Sequence, residues 1–556
     1  MQPAQPAESR SRPQAAAMSL GGVESAVEKR LARWTSESFA RRMWAKDYTL
    51  WAQKPDEITN RLGWLTLPEV MRKHTEELEQ FVEEVRGDGI SHVVLLGMGG
   101  SSLAPDVFQS TFGNSRGYPE LKVLDSTHPA AVRAVERSVD LSHTLFVVSS
   151  KSGTTIEPLS FMRYFWTQLA KIKKEVGRHF VAISDPGTPL GKLGRERGFQ
   201  HVFEAVPDVG GRYSALTHFG LVPAALIGVD VKRLLDFTSR MAAACAPGAA
   251  EKDNPGLALG AALGELALAG RNKVTFITSP SLGALPIWFE QLIAESTGKN
   301  DKGIVPVAGE RLASPEAYGQ DRVFVYLRAA QDTAPEQQAL LSKLEAAGHP
   351  VIRIEAGEIL DLGQEFFRWE VATAAAGAVM GIHPFNQPDV ELAKDLARQA
   401  MSAKTKTDDA AVPVPADSDR LPKAVSGWLA SAKPGDYFSL QAYLAPTEAM
   451  TERLTNLQQK LRDRTRLAAT AGYGPRFLHS TGQLHKGGPN TGLFVQFVDA
   501  HPEPLAVPET DYTFSGLIEA QAIGDYQALK QRGRRILRVH LGKTPAAGLD
   551  RFNAAL

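Results

Sequence analysis

The sequence holds one cysteine, Cys245, so an internal disulfide is excluded and a thiolate metal cluster is not expected. It carries no excess charge of either sign. Lys plus Arg and Asp plus Glu number 62 each, which removes the long-range field that would steer a chain onto nucleic acid or an acidic membrane. Any anion recognition must therefore be local. Uninterrupted apolar runs of about 18 residues are missing, and MQPAQPAESRSRPQAAAMSLGG lacks the apolar core of a secretory signal. A cytoplasmic chain without membrane or nucleic-acid partners is expected. Residues 1–20 are rich in Pro, Ala, Gln and Ser and can bury little, which predicts a disordered tail, with Met18 as a candidate start. No His or Cys cluster stands at metal-ligand spacing, so no metal and no cofactor are expected and EDTA is expected not to inhibit.

What is present is length and alternation. A chain of 556 residues exceeds one ordinary core and predicts two domains plus an extension. From about residue 90, HVVLLGMGGSS, TLFVVSSKSGTT and HFVAISDPGTP each offer an apolar run followed by a small-residue loop, and VTFITSPSLG, RVFVYLRAA and PVIRIEAG repeat the pattern. That pattern is α/β, with two parallel-sheet sandwich domains. Residues 23–86 read as helical. The predicted organisation is a helical lead-in plus first domain over 21–250, a second domain over 251–402, a polar linker over 403–420 and a C-terminal α/β region over 421–556. In that last region DYFSLQAYL predicts a strand. Thr447 predicts the cap of a helix with Met450, Leu454, Leu457 and Leu461 on one face.

Two loops carry the first chemical signal. GMGGSS (97–102) joins a strand to a helix, and Gly99 and Gly100 allow close backbone approach while Ser101 and the helix N-terminus offer donors. SSKSGTT (149–155) holds the same position after the next strand. In a doubly wound sheet both loops face the edge where ligands bind, so Gly100, Ser101, Ser150, Lys151, Ser152, Thr154 and Thr155 are expected to hold a phosphate. Helix capping alone accounts for one or two of these hydroxyls, not for four in residues 150–155. A dinucleotide site is excluded because GMGGSS lacks the third glycine of that fingerprint.

GGSSL followed by SKSGTTIEP resembles the sugar-isomerase (SIS) phosphate-binding domain. With GGRYSALTHFG (210–220), FEQLIAESTGKN (289–300), HPFNQPDVELAK (383–394) and QLHKGGPN (483–490), the chain is similar to the glucose-6-phosphate isomerase family. The resemblance implies two SIS-type domains and a small-molecule sugar phosphate as partner. It further implies the interconversion of glucose 6-phosphate and fructose 6-phosphate, in glycolysis and gluconeogenesis, through ring opening and a cis-enediolate. Glu295 sits at a helix C-terminus, where the dipole disfavours a carboxylate, as suits a general base. The resemblance assigns it the proton transfer. It assigns Arg212 to the enediolate, Lys394 to the ring oxygen and phosphate side, Gln387 to the phosphate, and His485 to ring opening. His479 is the competitor for that last role, and His485 is preferred because KGGPNTGLFVQF follows it.

The order of these residues departs from the animal-type enzymes, in which the histidine precedes the lysine. It is similar to the isomerase half of bacterial transaldolase–isomerase fusions, yet the chain lacks room for a barrel of about 250 residues, so isomerase activity alone is expected. In the family the histidine comes from the partner of a homodimer. The open alternatives are an isomerase of another phosphosugar and a non-catalytic sugar-phosphate sensor.

Overall fold

Short apolar runs with amphipathic helices between them build three five-stranded sheets in the computed structural model, which describes residues 13–248, 250–402, 412–500 and 504–556. An edge strand, β1 (Ala17–Ser19), opens the chain. The first sheet contains β2 (His92–Leu96), β3 (Glu120–Leu124), β4 (Thr144–Ser149), β5 (Phe180–Ser184) and β6 (His201–Glu204), all parallel in the order β3-β2-β4-β5-β6. The second contains β7 (Lys273–Thr278), β8 (Val305–Val307), β9 (Arg322–Ala329) and β10 (Val351–Ala356), ordered β1-β10-β9-β7-β8, with only β1 antiparallel. The third contains β11 (Val414–Pro415), β12 (Tyr437–Tyr443), β13 (Ala468–Tyr473), β14 (Gly492–Val498) and β15 (Arg535–His540), all parallel in the order β11-β15-β14-β12-β13.

Continuous apolar strands follow from burial on both faces. In β2, Val93 and Leu95 enter one core while Val94 and Leu96 enter the opposite one. β4 divides in the same way, Leu145 and Val147 against Phe146 and Val148. The chain passes from β2 to β3 on one side and then to β4 on the other, so the switch in strand order lies between β2 and β4, where the two hydroxyl-rich loops emerge.

The C-terminal sheet has one face packed under the helix Glu448–Thr465, whose Met450, Leu454, Leu457 and Leu461 are buried and whose first turn is capped by Thr447. Its other face meets β8 and the helix Leu285–Thr297 through Tyr437, Ala468 and Phe494 against Ala294, Val305 and Val307. Phe514 then reaches the first domain, stacking on Phe161 at 5.8 Å. Burying a phenylalanine contributes about 1.5–3 kcal/mol.

Two expectations on segments are corrected. Residues 17–19, read as part of a disordered tail, form β1, because an edge strand needs only backbone pairing and is anchored here by buried Leu20 and the packed Met18. The linker read over 403–420 contains β11, paired with β15; residues 1–12 and 403–411 lie outside the described residues. No helix among the described residues is long and apolar enough to cross a membrane.

The helices Pro255–Leu268 and Leu362–Met380 meet along Gly256, Gly260 and Gly264, a stripe at four-residue spacing. A Cβ at Gly260 would lie 2.6 Å from both the Ala372 carbonyl oxygen and the Ala375 Cβ. Gly260→Val is expected to lower stability by ~1–3 kcal/mol through overpacking, read as a lower denaturant midpoint. An unchanged midpoint would mean that the helices separate without cost.

Candidate functional site

At the end of β2, Gly99 takes a left-handed φ of 55° and Gly100 lies so close to the GGR turn that a Cβ there would sit 2.0 Å from the Gly211 carbonyl oxygen. The glycines read as admitting a ligand therefore admit a second protein loop. Ser102 precedes the helix Leu103–Phe112 without capping it, its hydroxyl donating to the Gly99 carbonyl at 3.2 Å. Thr155 likewise precedes Ile156–Leu169 without a side-chain cap; it accepts from the Ser150 hydroxyl at 2.9 Å instead. Ser152 and Thr154 pair at 3.0 Å. The first-turn amides of both helices thus have no hydroxyl cap, which is the arrangement an anion can use.

Two residues expected on the phosphate are otherwise engaged. Lys151 donates to Asp185 at 2.6 and 2.8 Å and to the Pro207 carbonyl at 3.4 Å, because the adjacent end of β5 brings Asp185 beside it. Gln387 accepts from Arg212 Nη2 at 2.6 Å through its Oε1.

Glu295 is in the last turn of Leu285–Thr297 and is buried. Its Oε2 lies 3.9 Å from Arg212 Nε and accepts from Gln291 Nε2 at 3.1 Å. Gly298, which ends this helix, has no left-handed φ; it is small because a Cβ would meet Leu484 Cα at 2.3 Å. Arg212, only 2% exposed, also donates to the carbonyls of Phe385 and Asn386 at 3.0 and 3.1 Å. Its Nη1 is buried without a protein partner.

The two candidate histidines differ in their surroundings. His485 is buried against the C-terminal sheet, with Ser439 and Gln441 at 3.5 and 3.4 Å from its ring nitrogens and Phe494 packed edge-on. Burial, with the nearby charges of Lys486 and Arg534, pushes its pKa well below the usual imidazole value. His479 is the histidine that joins the chain of contacts around Glu295. Its Nε2 lies 2.9 Å from Glu157 Oε1, and its carbonyl accepts from Gln291 Nε2 at 2.9 Å.

Arg476, three residues earlier, ties this turn to the first domain through Asp106 at 2.7 Å and Asp125 at 3.1 Å. Glu157 also accepts from Gln521 at 2.8 Å. Burial works to raise its pKa, but His479, its own backbone amide and the charge of Lys394 outweigh that and hold it below the ordinary glutamate value. Lys394 stands on the exposed rim, paired with Glu391 at 2.7 Å on the helix Val390–Ser402.

Glu157 and Gln291 were not singled out from sequence, although Glu157 is the second residue after the hydroxyl loop. Arg476 gave no local signal, since its partners lie in another domain. Glu295, Arg212 and Gln387 are thus joined by direct contacts, Gly100 of the first hydroxyl loop lies against the Arg212 turn, Lys394 is exposed, and His485 is packed against the third sheet.

The phosphoglucose isomerase family profile matches residues 61–323, which include both loops, Arg212 and Glu295. A glucose-6-phosphate isomerase of Rubrobacter xylanophilus is 29% identical over 387 residues, 61% of this chain and 89% of that one. One of Thermus thermophilus is 29% identical over 398 residues, 63% and 92% of the two chains. Among solved structures, a hypothetical protein of Thermus thermophilus superposes with a TM-score of 0.61 at 26% identity, over 70% of this chain and all of the other. A glucose-6-phosphate isomerase of Chlamydia trachomatis shares the fold, with a TM-score of 0.51 at 20% identity over 70% of this chain and 86% of its own. The profile falls on both hydroxyl loops, Arg212 and Glu295, and the relatives extend beyond it: over these residues the chain is similar to the phosphoglucose isomerase family.

Proposed function

We propose that the chain interconverts glucose 6-phosphate and fructose 6-phosphate, with the hydroxyl loops holding the phosphate and Glu295 moving the proton between C2 and C1. The observation that carries this reading is the buried pair of Glu295 and Arg212 with one guanidinium nitrogen, Nη1, left without a protein partner. Such a donor beside a carboxylate suits an oxygen on which negative charge develops as the carboxylate removes a neighbouring proton.

His479 takes the ring-opening role in place of His485. An imidazole held by a carboxylate on one nitrogen presents its other nitrogen in a fixed orientation, and histidine can both give and take a proton near neutrality. Glu157 is the orienting carboxylate, with Gln521 fixing it in turn. Lys394 contributes positive charge at the cleft rim. The His479–Glu157 pair is made within one chain, which supports an active site that needs no histidine from a second copy. No step calls for a metal, since each proton has a protein group to carry it.

Glu295→Gln is expected to lower kcat by ~10²–10⁴-fold with KM near the parent value; retained turnover would place the base elsewhere. Replacing Ser152 and Thr155 together by alanine should instead raise KM by about tenfold, and an unaltered KM would move the phosphate from these loops. His479→Ala should slow reaction of the cyclic sugar far more than isomerisation of the open-chain form, whereas His485→Ala should leave the ratio of those two rates as it was. The opposite pattern would restore the role to His485. Each ratio is read in a coupled assay with glucose-6-phosphate dehydrogenase as reporter.

A further inference from the structure

Three side chains remote in sequence meet on the surface of the first domain. His74 precedes the helix Thr75–Gly87 and Glu77 lies in its first turn, a three-residue spacing that puts both on one face. His218 is the first residue of the helix His218–Leu226, which follows the Arg212 turn after the cap Thr217. One ligand atom from each of the three lies within 4.8 Å of the others.

The carboxylate of Glu77 is held at both oxygens, Oε2 by His74 Nδ1 at 3.0 Å and Oε1 by His201 Nε2 at 3.3 Å. His218 is 3% exposed, and neither of its ring nitrogens makes a hydrogen bond of full geometry, although the Glu204 backbone stands near enough to favour its charged form. A surface pair such as His74 and Glu77 is commonplace by itself. A buried imidazole aimed at that pair with neither nitrogen fully hydrogen-bonded is not, because buried polar groups ordinarily find partners.

We propose that His74, Glu77 and His218 bind one divalent ion of the zinc class. Two imidazoles and one carboxylate match zinc, nickel or cobalt, whereas calcium and magnesium call for oxygen ligands throughout. Three protein ligands leave a fourth position to solvent. His201 holds the second carboxylate oxygen and acts as a positioning residue of the kind that orients a ligating carboxylate. The ion ties the helical lead-in to the helix His218–Leu226. It is separate from the cleft, and isomerisation does not run through it.

The test uses the untagged full-length protein, stripped with EDTA and titrated with Zn2+ in a calorimeter, with metal content measured after gel filtration and Tm followed in parallel. The expected result is one zinc per chain and a higher Tm. His74→Ala and Glu77→Gln, both at accessible positions, should abolish that binding and the rise in Tm. His201→Ala should weaken it by ~10–100-fold, and the turnover of the parent enzyme should be the same with and without EDTA. Absence of saturable binding in the parent protein would overturn the proposal. So would affinity preserved in the His74→Ala/Glu77→Gln double variant, since the metal would then sit elsewhere.

Discussion

Burying a guanidinium costs on the order of several kcal/mol unless its donors are met, and the way Arg212 meets that cost sets the arrangement of the cleft. Its acceptors come from the segment 385–387 that follows the long helix of the second domain, and its carboxylate neighbour from the helix Leu285–Thr297. The turn that carries it belongs to the first domain and presses on Gly100. Moving the domains apart would strand a buried charge. One side chain thereby couples the first hydroxyl loop to the Glu295 carboxylate.

Much of the fold was readable as strand-to-loop units because strands buried on both faces are continuously apolar. The six runs named from sequence became β2, β4, β5, β7, β9 and β10. In the first two sheets the strands not named were the weaker ones: β3 and β6 close the two edges of the first sheet, and β8 is three residues long and contains a proline. An edge strand can be short and half-polar because only one side pairs and one face is covered. The same latitude hid β1 inside a polar N-terminal stretch and β11 inside a linker.

The site was legible in part, and the division follows range. Ser152, Thr155 and Glu295 announce themselves by local context, a hydroxyl-rich turn and a helix end. The choice between His479 and His485 depends on which side of a short helix faces which domain, and six residues of sequence hold too little to decide it. The proposed preference for His479 rests on contacts such as those of Arg476 with Asp106 and Asp125, residues far away in sequence, an interaction with no local pattern. The cluster of His74, Glu77 and His218 was hidden for the same reason: its first two members show a helical spacing of no special meaning until a helix from much later in the chain lays the third beside them.

The third sheet has a bearing on when the protein can act. Because His479 and Gln521 reach Glu157 from beyond residue 420, the hydroxyl loops are synthesised long before the side chains that complete the cleft. On the proposed assignment, the loops that would hold the phosphate leave the ribosome before the residues that would open the sugar ring.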